Sequence, residues 1–217
     1  MTFNTAGTIT ISGSVTHRTG GLTYTAGTIT TTSSTLVISG ADTLSTSGVT
    51  WSNVTINANI TVTISNTLTV GGNLSFPTIS NTTTVNGSNI NLSGNLSVPS
   101  IVNGTVTGTT TLTLVGSGTI TMNASVTTGT YRLATTLASS GTYTMTGTFR
   151  HQGNMTFTSG TWDADTSTYY YGGIMNVNMS GITFYNLFLG LANSTIQGTN
   201  GFTTNDLNFR EEGFAHT

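Results

Sequence analysis

The chain contains no cysteine and no lysine, only two prolines, and charged residues make up 5% of its 217 positions. Each shortage excludes something. Without cysteine there is no disulfide framework and no thiolate metal site. The only cations are Arg18, Arg132, Arg150 and Arg210. Nucleic-acid binding needs several basic side chains on one face to displace phosphate counterions, so no nucleic-acid partner is expected. No apolar run approaches the roughly 18 residues of a membrane helix, so no helical span is expected. Met1-Thr2-Phe3-Asn4 leads into repeat sequence with neither a charged n-region nor an apolar h-region, so no secretory leader is expected.

Threonine supplies close to a quarter of the residues, and glycine, serine and asparagine much of the rest. A disordered low-complexity chain is poor in β-branched and aromatic residues. Here Ile, Val, Leu, Phe, Tyr and Thr recur in a pattern, and these residues suit a pleated, half-buried surface. The unit Gly-x-Φ-Thr/Ser-Φ, with Φ apolar, stands at Gly141-Thr142-Tyr143-Thr144-Met145 and at Gly153-Asn154-Met155-Thr156-Phe157. Alternation with period 2 marks a strand with one buried face. Glycine at each restart suits a corner.

A coarser period encloses this one. Thr5-Ala6-Gly7-Thr8-Ile9-Thr10 returns at Thr25 to Thr30. Gly72-Asn73-Leu74-Ser75-Phe76-Pro77-Thr78-Ile79 is echoed from Gly94 to Ile101, and Asn81 by Asn103. Ser117 to Met122 is echoed from Ser140 to Met145, and Gly48 to Val54 from Gly181 to Leu187. Self-similarity at a fixed period signals a repeat architecture. Three strand-plus-corner units of about seven residues make a coil near 21. The expectation is therefore an all-β, right-handed parallel β-solenoid (a β-helix) over residues 1–204, with about ten three-sided coils of about 20–23 residues. The handedness rests on the rule for parallel crossovers. Pro77 and Pro99 should lie at corners, and Asn81 over Asn103 as an amide ladder. Residues 205–217, which hold four of the ten charges, are expected to form a C-terminal cap or tail, with Asn205 or Asp206 capping one short helix.

Candidate chemistry is sparse. Asp163 and Asp165 could offer two carboxylates to a hard cation such as Ca²⁺ or serve as the acids of a carbohydrate-active site, with Arg150, His151 and Tyr169 to Tyr171 nearby in sequence. Two carboxylates are an incomplete set for a metal that takes six to eight oxygens, and the competing reading is a surface corner with an ion pair. His17, beside Arg18, reads as a solvent-facing strand residue. No nucleophile elbow, zinc-protease helix or phosphate loop is present, so neither a catalytic residue nor a cofactor is assigned. The Thr-x-Thr pairs Thr8/Thr10, Thr28/Thr30, Thr105/Thr107 and Thr119/Thr121 would each point to one face of a strand. Stacked, such pairs resemble the arrays of ice-binding β-solenoids. The competing reading is that threonine is simply the polar β-former at outward positions.

The phrases from Leu22 to Thr30 and from Gly48 to Ile56 make the chain resemble the Thr/Gly/Asn-rich solenoid segments of bacterial adhesins and of phage tail-fibre or appendage proteins. That resemblance implies a structural, non-enzymatic module: a fibre, filament subunit or surface-attachment element, extracellular or on a virion. The open ends of such a stack lead to an expectation of self-association, end to end or as a trimer, and a cell-surface glycan is expected as a further partner.

Overall fold

In the computed structural model, which describes residues 1–102, 104–124, 129–190 and 194–209, the chain is a parallel β-solenoid of about nine turns. Every strand pairing is parallel, and no helix occurs among the described residues. In the middle of the molecule each strand pairs with the third one after it, so a coil has three sides. Thr35–Ile38 lies under Asn53–Ile56 on the first face. Asp42–Ser45 lies under Thr61–Ile64 on the second, and Thr50–Trp51 under Leu68–Val70 on the third.

One outward column can be followed from end to end on the first face: Ser14, Thr35, Asn53, Asn73, Asn95, Thr119, Thr144, Asp163, Thr183 and Thr203. Ten rungs enclose nine turns, one fewer than the ten coils expected. The steps run from 18 residues (Thr35 to Asn53) to 25 (Thr119 to Thr144), a wider spread than the expected 20–23. Strands must keep their length to stay paired, whereas corners point outwards and absorb insertions at little cost. Some corners do not interrupt the strand at all: Ala134–His151 runs for 18 residues around the coil.

Inward positions form continuous columns. Val15, Leu36, Val54, Leu74, Leu96, Ile120 and Met145 stack on the first face. Leu68, Ile90 and Leu112 begin a column on the third face, which continues through Thr135, Met155 and Met175. Nearly all of these side chains are fully buried, and each contributes about 1.5–3 kcal/mol on transfer from water. Large aromatic rings gather in the C-terminal half, where Tyr131, Tyr143, Phe157, Trp162, Tyr169, Tyr171 and Phe184 are buried.

Gly108 shows why corners select glycine. Its φ is +140°, and a Cβ there would come within 1.8 Å of the Val85 carbonyl oxygen of the coil below. Pro77 lies outside a strand, whereas Pro99, expected at a corner, lies within strand Leu96–Ile101, where the register to the next coil breaks.

Three expectations change. The solenoid does not stop at residue 204: Thr203–Phe209 pairs with Ile182–Leu189, so Asn205 and Asp206 lie in a strand rather than capping a helix. Leu207 and Phe209 continue the inward columns of Leu187 and Leu189, and that match overrides the local cap signal. Secondly, the Ser117–Met122 echo is out of step. Ile120 pairs with Met145, not Tyr143, a slip of two residues that leaves inside and outside unchanged. Thirdly, the echo between Gly48–Val54 and Gly181–Leu187 spans different sides, since Val54 lies on the first face and Leu187 on the second. Asn103 and the tail from residue 210 lie outside the described residues.

Candidate functional site

Outward side chains of neighbouring coils lie about 4.8 Å apart, so whatever the surface does must be done by rows. The best-defined row is amide. Asn73 N donates to Asn53 Oδ1 at 3.0 Å, Asn95 Nδ2 to Asn73 Oδ1 at 2.9 Å, and Thr119 N to Asn95 Oδ1 at 2.7 Å. Asn53 Nδ2 continues the chain to Ser34 O at 3.2 Å. The ladder thus occurs at a different phase of the repeat from the expected Asn81 and Asn103. Its signal was an Asn before each inward residue: Asn53-Val54, Asn73-Leu74, Asn95-Leu96. Asn95→Ala cuts the row and leaves the Thr119 N–H to water. The expected loss is about 1 kcal/mol, read from the urea midpoint.

The eight candidate threonines are placed outward, but not together. Thr8 lies under Thr28 and Thr10 under Thr30, all four exposed on the third face. Thr105 and Thr107 belong to the second face, above Thr82 and Thr84. Thr119 and Thr121 belong to the first, against Thr144 and Thr146, with Thr121 Oγ1 3.3 Å from Thr146 Oγ1. They form three patches on three sides.

The carboxylate neighbourhood also divides. Asp163 and Asp165 are exposed and lie at the corner between the first and second faces. Asp163 Oδ1 accepts the Asp165 N–H at 3.0 Å, and Asp165 has φ of +44°, so the pair closes a tight turn over the buried Ala164. No group of three His, Asp or Glu side chains suited to a metal occurs among the described residues. Arg150 points outward in a row with Tyr170 and Phe188, whose rings stack with centroids 4.7 Å apart.

His151, Tyr169 and Tyr171 point the other way, into the core. His151 is fully buried among Tyr131, Phe149, Tyr169 and Tyr171. Its Nε2 lies 2.9 Å from Leu133 O, which can only accept, so Nε2 carries the proton. Nδ1 then accepts from the Tyr169 hydroxyl at 2.8 Å. Burial lowers the imidazole pKa to about 4, opposed by the bond to Leu133, so the ring is neutral near pH 7. Burial likewise holds the Tyr131, Tyr169 and Tyr171 phenols well above their usual range. This cluster is a packed polar network whose four rings, Tyr131, His151, Tyr169 and Tyr171, have no solvent exposure.

His17, expected to face solvent, is instead buried, with Nε2 2.8 Å from Asp42 Oδ2. The two atoms are close but not aligned for a hydrogen bond. The other oxygen, Asp42 Oδ1, accepts the N–H groups of Gly21 and Thr43, each at 2.7 Å. The pair joins two coils at an inner corner. Alternation gave a partial signal: His17 shares the inward parity of Val15 and the register of Ile38.

No known family model, characterised protein or solved structure matches this chain. Function must therefore be argued from the described surface. The described rows on its three sides are mostly hydroxyl and amide. At the C-terminal end lies an apolar cavity of about 440 Å³ lined by Leu189, Gly190, Ser194, Ile196, Leu207 and Phe209. Phe209 is 78% exposed there. Among the described residues, Thr203–Phe209 pairs on one edge only, as does Thr2–Thr10 at the other end.

Proposed function

We propose that the chain is a structural, non-enzymatic rod: a fibre segment, filament subunit or surface-attachment module, adhesin-like or part of a virion appendage, working outside the cell or on a virion surface. The observation that carries this reading is the column from Ser14 to Thr203, one outward side chain per coil through nine turns without a break. A closed parallel stack pairs nearly every backbone group between coils, which gives stiffness along the axis without a large charged surface. The imidazole and phenols with displaced pKa values are sealed in the core, where they consolidate packing rather than meet a substrate. Unpaired strand edges at both described ends favour end-to-end association, because an open edge is a template for another strand. A glycan partner would meet hydroxyl and amide rows, with the Tyr170–Phe188 pair beside them.

Size-exclusion chromatography with light scattering, followed by negative-stain microscopy, tests the proposal. The expected particle is a rod of about 43 Å per chain, nine turns of about 4.8 Å, whose mass grows with concentration. A sharp monomer at every concentration removes the filament form of the reading. Turnover of any member of a glycan panel would overturn the non-enzymatic one.

A further inference from the structure

We propose that Asn200–Gly201 is a site of spontaneous covalent modification, at which the asparagine converts through a cyclic imide to a mixture of aspartate and isoaspartate. The chemistry needs an asparagine followed by a residue whose backbone nitrogen can swing onto the side-chain carbonyl, and glycine offers the least hindrance. The Gly201 nitrogen, having lost its proton to hydroxide, attacks Asn200 Cγ, and Nδ2 leaves as ammonia. The resulting five-membered imide is opened by water. Opening at the side-chain carbonyl gives aspartate. Opening at the main-chain carbonyl gives isoaspartate, with the backbone rerouted through Cβ. The net change is one water gained and one ammonia lost, and no oxidant or reductant is involved.

The structure separates this site from a second copy of the same dipeptide. Asn86–Gly87 lies at the end of strand Thr82–Gly87, and both groups that must react are held: Gly87 N donates to Thr109 Oγ1 at 3.0 Å, and Asn86 Oδ1 accepts from Thr109 N at 3.3 Å. Its carbonyl and nitrogen cannot meet without breaking the ladder. Asn200 and Gly201 are both exposed, in the turn between Thr195–Gln197 and Thr203–Phe209. Gly201 N has no hydrogen-bond partner among the described residues, and Asn200 Nδ2 has only a long contact of 3.4 Å to Thr199 Oγ1. A third such dipeptide, Asn103–Gly104, includes a residue outside the described ones. Conversion at position 200 places a negative charge, and in the isoaspartyl form an extra backbone carbon, in the last described coil. It would therefore alter that coil before the one that holds Asn86.

The test incubates the intact protein at mildly alkaline pH and follows peptides containing position 200 or position 86 by mass spectrometry, with isoaspartyl methyltransferase labelling. In the folded protein, position 200 is expected to convert at least about tenfold faster than position 86, the ladder bonds being the difference. In denaturant the two rates should converge, since the sequence at both is Asn-Gly. Gly201→Ala should slow conversion about tenfold by crowding the nitrogen. A Cβ at 201 meets nothing within 4 Å, so that variant retains the fold. Equal rates at the two positions in the folded protein, or an unchanged rate in G201A, would overturn the proposal.

Discussion

Asp42→Ala is expected to destabilise the N-terminal coils by about 2–3 kcal/mol, the cost of leaving two N–H groups without their carboxylate acceptor. The side chain of Asp42 has no solvent exposure, and it serves three groups at once: the N–H of Gly21, the N–H of Thr43 and Nε2 of His17. Alanine leaves the two N–H groups without their acceptor and removes the oxygen beside His17 Nε2. The damage should be local, because a solenoid coil contacts only its neighbours. Hydrogen exchange should quicken in Leu22–Thr30 and Thr35–Ile38 and stay slow beyond the middle coils. Asp42→Asn keeps an acceptor for the two N–H groups but turns an amide or a neutral oxygen towards His17, so a smaller loss is expected. The decisive quantity is the coupling in a double-mutant cycle with His17→Gln. A loss under about 1 kcal/mol for Asp42→Ala would show that the pair is incidental to the fold.

The second large effect is on acid stability. His151 has a folded pKa of about 4, against about 6.5 for an unperturbed imidazole. The unfolded chain therefore takes up the proton first. Full stability holds above about pH 6.5, declines as the pH falls, and the loss levels off below about 4. A difference of roughly 2.5 units corresponds to about 3 kcal/mol. Nothing packed on the ring offsets this, since Tyr131, Phe149, Tyr169 and Tyr171 are all neutral in that range. His151→Leu should cost about 2 kcal/mol at pH 8, because Leu133 O and the Tyr169 hydroxyl lose their partner. The same variant should lose much less on acidification than the parent. Parallel pH profiles of the urea midpoint for the two proteins would contradict this account, since carboxylates common to both would then explain the whole acid response.

The alternation at Tyr169-Tyr170-Tyr171 shows how far sequence reaches. Period 2 puts Tyr169 and Tyr171 on one side and Tyr170 on the other, and the structure buries the first two and leaves Tyr170 on the outer row. Whether that shared side was core or surface was not legible from three identical residues. Their grouping with Asp163 and Asp165 as one site failed for this reason. The register of Leu74 under Leu96 and of Thr8 under Thr28 was legible, because the repeats are long enough to have one best alignment. The register of Ile120 was not. Gly-Thr-Φ-Thr-Φ matches itself after a shift of two, and both alignments keep apolar residues inside.

Composition and periodicity by themselves determined the architecture: alternation with glycine corners at a stride near 21 permits a stack of three-sided coils. Parity along the chain is a local property, so it survives without coordinates. Tertiary structure alone decided which coil meets which and what occupies the inner corners. It brought His17 to Asp42 and His151 to Tyr169 and Leu133, and it held Asn86–Gly87 in the ladder while leaving Gly201 N without a partner among the described residues. Those contacts depend on corner lengths that vary from coil to coil, so the sequence offset between stacked residues, 18 at Thr35 to Asn53 and 25 at Thr119 to Thr144, is not given by the repeat pattern alone.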